Sequence, residues 1–339
     1  MVLDIKENIS LAQYTTLHVG GVADYFVEVS TVEELRTTLL YAKEHSATPP
    51  LILGGGSNLL ISDDGYRGLV IKNNLLDRIY EESNADTILK CGSGEILDEV
   101  IAETVEKGLW GLENLSSIPG TVGATPIQNV GAYGVEVSDL VTEVTAVHFE
   151  TTEERIFTLE ECNFSYRDSF FKTEEGRNWI VTSVSFRLSK ESKPVLEYGD
   201  LVNLKNEQNI TPANVRVLVQ EIRAGKFPDW NVIGTAGSFF KNPIVSQGKF
   251  QSLKFSYPDL PGFETEDEQI KLSLGWILDK VCNLRGYCDG EVCLYKNQAL
   301  VLTNTGESAE AIINFQAMVV KTVADKLSIN IEPEVTFIG

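Results

Sequence analysis

Hydrophobic and polar positions change period several times along the chain, and each change marks an element. From Thr31 to His45 the apolar residues Val32, Leu35, Leu39 and Ala42 recur at helical spacing, and Thr31 with Glu34 can close a capping box, which predicts an amphipathic helix. The run LILGGGSNLLI reads as a short buried strand that breaks at Gly54–Gly56. Strands are predicted at 68–71 and 87–91, then a helix at 95–107 stopped by Gly108. Alternation at 141–150, 155–158 and 180–188 predicts three more strands. Thr211 and Pro212 open a helix with Val215, Leu218, Val219 and Ile222 on one face, and Gly225 is expected to close it. Residues 225–237 read as a linker. Beyond it come a helix near 272–281, a strand at 299–303 and a long helix at 308–327, whose Ile312, Phe315, Met318 or Val319, and Val323 form a core face rather than a cofactor box. The tail IEPEVTFIG alternates with period two and should rejoin a sheet.

One stretch fits none of these periods. Gly111 to Gly134, GLENLSSIPGTVGATPIQNVGAYG, has glycines at 111, 120, 123, 131 and 134, prolines at 119 and 126, and no charge beyond Glu113. That content excludes a helix or a central strand. Loops of this length inside a domain are functional or disordered, and Ile118, Val122, Ile127 and Val130 argue against disorder. Closely spaced glycines let backbone amides approach a ligand and form nests for phosphate oxygens, so a diphosphate cofactor is the natural occupant.

Composition narrows the choice. At 339 residues two or three domains are expected, and 43% hydrophobic with 23% charged residues describes an ordinary soluble protein. A net charge of −21 argues against nucleic acid or an anionic membrane as partner, so an anionic substrate must be held by a few local cations. The N-terminus carries acids and no apolar run of signal length, which predicts a cytoplasmic protein, and a monomer is expected. Five cysteines, at 91, 162, 282, 288 and 293, do not form a disulfide framework in a chain this long and are read as buried thiols. No CxxC pair exists, and the three histidines are scattered, so neither a metal site nor a Ser/His triad is expected.

Two glycine motifs remain. GGGSN lacks the ending of a P-loop, and Leu59 stands where a nucleophile elbow needs glycine. CGSGEIL has Leu97 in place of the third glycine of the dinucleotide fingerprint, with Glu95 where a pyrophosphate would sit, so the Rossmann reading is rejected.

The run IPGTVGATPIQNVGAYG, followed by the YRDS of Tyr166 to Ser169 and the GSFFKNP of Gly237 to Pro243, resembles the UDP-N-acetylenolpyruvoylglucosamine reductase family. The resemblance runs from about Tyr14 to the C-terminal EPEVTFIG, with the motifs in the family's order and spacing. It implies an α+β fold in which a two-lobed FAD-binding domain of the vanillyl-alcohol oxidase and p-cresol methylhydroxylase type is joined to a smaller α+β substrate-binding domain. The expected boundaries are 1–225 for the first domain, with lobes of about 1–73 and 74–225, then 226–326 for the second, and 327–339 as a strand returning to the first.

The resemblance also implies FAD as cofactor, NADPH as reductant and UDP-N-acetylglucosamine enolpyruvate as substrate. Cofactor-binding positions fall on Gly54, Gly55, Gly56, Ser57, Asn58 and Leu59, on Ile118, Pro119, Gly120, Gly123 and Ala124, on Gln128, Asn129, Gly131, Ala132, Tyr133 and Gly134, and on Ser169. Substrate-binding positions fall on Tyr166, Tyr198, Lys226, Asn242 and Gln298, and the Tyr198 segment marks the subclass with a closing loop. The chain departs from the pattern at Gly55, where relatives carry an acid, and at Ala124 and Thr125, where some carry serines.

Reducing an enol ether that bears a carboxylate needs a hydride at the β-carbon, groups that steady the carboxylate, and an acid for the α-carbon. Arg167 is the candidate cation, since a guanidinium matches a carboxylate bidentately. Its other reading is a structural ion pair, although Arg167 and Asp168 adjoining in a strand would point to opposite faces. Ser238 matches the family's proton donor; by its own chemistry it is a poor acid that could equally cap a turn. Glu334 matches the family's catalytic glutamate and, two residues from Glu332, would share a strand face with it; the alternative is two solvated edge acids. Two other functions stay open: an oxygen-using sugar or lactone oxidase of the same fold, and a non-catalytic sugar-nucleotide binding protein.

Overall fold

The Thr31–Glu34 capping box forms as its spacing predicts. In the computed structural model, which describes residues 3–45, 48–265 and 267–339, the Glu34 amide donates to Thr31 Oγ1 at 3.1 Å and the Glu34 carboxylate accepts from the Thr31 amide at 3.1 Å. Helix α1, Val32–His45, buries Leu35, Leu39 and Ala42 in a cluster with Val27, Val29, Leu69 and Ile71. Those partners come from a four-stranded sheet in the order Lys6–Ser10, Val22–Val29, Tyr66–Asn73, Leu51–Leu53. Its last pair is parallel, which delivers the chain directly into the Gly54–Gly56 turn.

A second, five-stranded sheet runs in the order Glu154–Thr158, Val141–His148, Trp179–Ser189, Asp86–Gly92, Arg78–Glu82, antiparallel throughout. Helix α2, Leu97–Glu106, packs Leu97, Val100 and Ile101 into the same apolar cluster as Leu89, Val144 and Phe186 of this sheet. It starts two residues later than expected, because Ile96 is extended and bridges to Thr121, while Glu95 faces Arg78, whose Nε and Nη2 donate to it at 2.8 and 2.5 Å. Helix α3, Pro212–Lys226, is capped by Thr211 Oγ1, which accepts from the Asn214 amide at 3.3 Å.

The remaining sequence builds a four-stranded sheet, Gly234–Ser238, Val301–Asn304, Val292–Leu294, Cys288–Asp289, and a three-stranded one. It adds α4, Gln247–Ser256, and a short helix α5, Leu274–Trp276, that runs on as the π-type turn Ile277–Val281. Helix α6, Ala309–Leu327, is capped by Ser308 and buries Ile312, Phe315, Val319 and Val323. They join Phe239, Phe240, Leu272 and Leu302 in one core.

Five expectations need correction. The chain divides into one unit of Met1–Ile9, Ala23–Gly55 and Arg67–Arg223 and another of Ser10–Val22, Gly56–Tyr66 and Ala224–Gly339. These are not the contiguous blocks 1–225 and 226–326, because Thr336–Ile338 pairs in parallel with Leu59–Ile61 and draws both segments into the second unit. Helix α3 passes through Gly225 and ends at Lys226, since Pro228 and its effect on Phe227 stop a helix more firmly than one glycine. Residues 225–237 are not all linker, for a strand begins at Gly234. YRDS is a tight turn, not a strand: Ser165 and Asp168 exchange backbone bonds at 3.0 and 3.1 Å and Arg167 has φ +55°. Finally, Cys288 and Cys293 are joined in a disulfide, while Cys91, Cys162 and Cys282 are buried thiols as expected. The two cysteines are direct cross-strand partners with Cα atoms 4.1 Å apart, a pairing that spacing along the chain does not reveal.

Candidate active site

In the first unit two glycine-rich turns lie back to back. A Cβ added to Gly55 would stand 2.7 Å from Gly120 Cα, and one on Gly54 would stand 2.6 Å from Thr121 Oγ1. At Gly55 the obstacle is backbone and excludes a side chain, whereas at Gly54 the Thr121 hydroxyl would have to move. The Lys72 ammonium, from the adjoining strand, donates to the Gly54 carbonyl, and burial lowers its pKa. Gly123 packs equally closely: its amide donates to Ser93 O at 2.9 Å, and a Cβ there would lie 2.5 Å from Ser93 Cβ. The Gly123 amide is spent on Ser93, but main chain as bare as that at Gly54, Gly55 and Gly120 fits a diphosphate, whose oxygens take backbone amides, so the residues present suit FAD.

The loop that follows is pinned by polar side chains turned inward. Asn129, 1% exposed, has φ +45°. Its amide nitrogen donates to Glu136 Oε2 at 2.6 Å and Ser165 O at 3.2 Å, and its oxygen accepts from the Ser138 amide at 3.0 Å. Ser169 Oγ donates to Ile127 O at 2.7 Å. Both side chains expected to meet the cofactor are therefore occupied by the loop itself. Asn114 Nδ2 donates to the carbonyls of Tyr133 and Val195 at 2.8 and 2.9 Å, and the Tyr133 ring meets that of Tyr198 edge-on at 5.8 Å. Tyr198 is exposed.

Arg167 lies against the same loop. From its left-handed turn it sends Nη2 to Gly131 O at 2.7 Å and Nη1 to Asn129 O at 3.4 Å, with Tyr166 5.5 Å away under the guanidinium. Two backbone carbonyls thus aim the guanidinium.

The second unit supplies a different constellation. Gly56 takes φ +62°, where a Cβ would collide with Tyr14 O. Two residues on, Asn58 Nδ2 donates to Glu334 O at 3.1 Å and Asn58 O accepts from the Thr336 amide at 3.0 Å. Asn58, expected on the cofactor, thus also holds the main chain of Glu334. The segments 239–241 and 332–334 are zipped together: the Glu334 amide donates to Phe239 O at 2.8 Å and the Lys241 amide to Glu332 O at 2.9 Å, around a Phe240–Pro333 bridge. Ser238, next to Phe239, is brought beside the Glu334 backbone by this pairing. The regular strand of the tail covers only Thr336–Ile338, and Glu332 and Glu334 flank the isolated Phe240–Pro333 bridge, with Glu334 in a bend. Glu332 is exposed, and its carboxylate lies 3.9 Å from the Lys241 ammonium. Asn242 Oδ1 accepts from the Leu274 amide at 3.0 Å and so holds the start of α5, while Gln298 Oε1 accepts from the Leu300 amide at 3.4 Å. Lys226 is the last residue of α3.

Several residues that shape the site carry no motif. Asp98 on α2 accepts from the Ser117 amide at 2.6 Å and from Arg216 at 2.6 Å, tying the loop to α3. Burial pulls its pKa up, but the bonds from Arg216 and Ser117 outweigh it and hold the carboxyl below the usual range. Arg223 sends Nε to Ser117 O at 3.2 Å beside Tyr133, and burial lowers its pKa. Only helical or strand periodicity surrounds these positions, so nothing local announces them.

With this geometry in place, comparison with known proteins is direct. Residues 23–155 match the FAD binding domain family, and residues 228–338 match the C-terminal domain of UDP-N-acetylenolpyruvoylglucosamine reductase. A UDP-N-acetylenolpyruvoylglucosamine reductase of Bdellovibrio bacteriovorus is 42% identical over 337 residues, spanning 98% of this chain and 99% of that one. The chain belongs to the UDP-N-acetylenolpyruvoylglucosamine reductase family. A second reductase of this name, from Pseudomonas syringae pv. syringae, is 38% identical over 98% of this chain and 99% of its own length. The crystal structure of the Thermus caldophilus reductase aligns with a TM-score of 0.70 at 25% identity, covering 100% of both chains. The α+β class and the FAD-binding architecture expected from the sequence hold, and this reductase family member is an FAD-containing oxidoreductase. Among its described residues no helix is long and apolar enough to cross a membrane.

Proposed function

We propose that this reductase acts in the cytoplasm, using NADPH to reduce UDP-N-acetylglucosamine enolpyruvate to UDP-N-acetylmuramate for peptidoglycan. The redox chemistry, hydride in from the nicotinamide and out to the β-carbon of the enol ether, is what bound FAD supplies. The glycine turns at Gly54–Gly55 and Gly120–Gly123 hold its diphosphate. Arg167 pairs with the enolpyruvyl carboxylate as negative charge moves onto it, and its rigid seat on two carbonyls means little reorganisation during reaction. Ser238 gives its proton to the α-carbon, and Glu334 borders the same carboxylate. Lys226 meets the nucleotide diphosphate, Tyr198 covers the substrate, and Tyr166, Asn242 and Gln298 line its place.

The observation that carries this reading is the zipper between 239–241 and 332–334, which joins a serine and a glutamate almost a hundred residues apart beside one strand end. A purely structural pairing would not call for the family's two reactive side chains at that junction. The test is rapid mixing of the purified flavoprotein. Ser238→Ala should lose its yellow absorbance with NADPH at the wild-type rate, then recover it with the enolpyruvyl substrate about a thousandfold more slowly. Recovery at the wild-type rate would remove Ser238 from the reaction.

A further inference from the structure

Ser238 does not reach its place by regular strand geometry. Thr235 lies opposite Thr303, yet Ser238 lies opposite Val301, so the two residues Ala236 and Gly237 face the single residue Leu302. This is a β-bulge, and Gly237 sits in it with φ +72°. The extra residue has a definite consequence. In an unbroken strand, residues three apart point to opposite faces; here Thr235 and Ser238 are cross-strand partners of Thr303 and Val301, which share a face. The bulge turns Ser238 over.

One side chain holds the bulge. Thr235, 5% exposed, donates its hydroxyl to Leu302 O at 2.8 Å, and its own Oγ1 accepts from the Gly237 amide at 3.1 Å. Leu302 is the residue across from the bulge, so a single hydroxyl ties both strands together at the irregular point. After it the ladder resumes at once, the Phe239 amide donating to Leu300 O at 3.0 Å. Phe239 O in turn receives the Glu334 amide at 2.8 Å. The hydroxyl therefore fixes Ser238 from one side while the Phe239–Glu334 bond fixes it from the other.

We propose that Thr235 is a positioning residue for the protonation step: through the bulge at Ala236–Gly237 it sets the direction in which the Ser238 hydroxyl points. The inference rests on the reading of Ser238 as proton donor, and its test separates the two. Thr235→Val keeps the shape but removes the acceptor of the Gly237 amide, whereas Thr235→Ser keeps the hydroxyl. Each holoenzyme is compared with wild type and with Ser238→Ala in three measurements: amide exchange at Gly237, reduction by NADPH, and reoxidation by the enolpyruvyl substrate in H2O and D2O.

Thr235→Val should exchange the Gly237 amide about fivefold faster or more. It should be reduced by NADPH at the wild-type rate, reoxidise about tenfold to a hundredfold more slowly, and show a larger solvent isotope effect on that step. Thr235→Ser should return all three to near wild type. Wild-type reoxidation in Thr235→Val, with Ser238→Ala impaired, would overturn the role of Thr235; wild-type reoxidation in Ser238→Ala would instead overturn the role of the serine. Should Thr235→Val fail to retain flavin, Gly237→Ala decides. A Cβ there meets only Phe227 Cε1 at 3.9 Å, so the substitution strains the left-handed backbone without blocking it. A selective loss of reoxidation supports the proposal, and a wild-type rate contradicts it.

Discussion

The loop at 111–134 and the segment at 234–243 both depart from regular structure, and they are held in opposite ways. Around the loop, Glu113, Asn114, Ser116, Thr125 and Asn129 are all buried, and their side chains bond to main chain. The loop has a polar interior. The other segment hangs from Phe239 and Phe240, fully buried in an apolar core with Leu272, Leu302 and Phe315, and is otherwise fixed by strand pairing. A loop that must offer its amides to a ligand cannot pair them in a sheet, so side chains supply the missing order. A segment that must present one hydroxyl needs only a firm strand and one irregularity.

If that contrast is right, substitutions in the two regions should fail differently. Phe239→Ala is expected to cost about 3–5 kcal/mol, because a fully buried ring leaves a cavity the core cannot close. Thermal unfolding would show it as a lowered transition for the second unit, and a loss under 1 kcal/mol would mean that the aromatic pair does not anchor the segment. Asn129→Ala comes next, at about 2–3 kcal/mol, since it strands the Ser138 amide that its side chain now satisfies and removes its bonds to Glu136 and Ser165. Its signature should be a drop in the first unit's transition together with easier loss of flavin on dialysis. If it lowered the same transition as Phe239→Ala, the two regions would not be separately held.

The smallest effect concerns Glu113, 1% exposed, whose carboxylate accepts from the Gly111 amide at 2.6 Å. Burial raises its pKa in spite of that bond. The folded state therefore binds the proton more tightly than the unfolded one, and stability is lost as pH rises from the unfolded pKa through the folded one. Glu113→Gln keeps an acceptor for Gly111 without the buried charge. Its melting temperature should match wild type in acid and exceed it by a degree or two at neutral pH. A variant that is less stable at neutral pH would show the charge to be favourable where it lies.

Much of this organisation is legible in the sequence, and the rest is hidden for physical reasons. Thr31 and Glu34 announce their helix because a capping box is local, and the glycines of Gly54–Gly56 and Gly120–Gly123 announce close backbone approach. Nothing local announces that Leu59–Ile61 takes the C-terminal strand as its partner, because that register joins residues far apart in the chain. The same holds for the Cys288–Cys293 pair. Arg167 was marked by its motif, but its left-handed turn looks like strand sequence, and only the structure shows carbonyls holding it. Thr235, Lys72 and Asp98 are single polar residues in otherwise ordinary elements, and their roles exist only through partners brought in by folding.

The proposed reaction passes reducing equivalents from a flavin held on bare main chain to an enolpyruvyl sugar nucleotide. It is tested most directly by the visible spectrum of the purified protein, recorded without oxygen during two additions. A yellow protein that bleaches with one equivalent of NADPH and regains its colour with one equivalent of UDP-N-acetylglucosamine enolpyruvate is the predicted result. A colourless protein that takes up no FAD, or colour that returns only when oxygen is admitted, would contradict it.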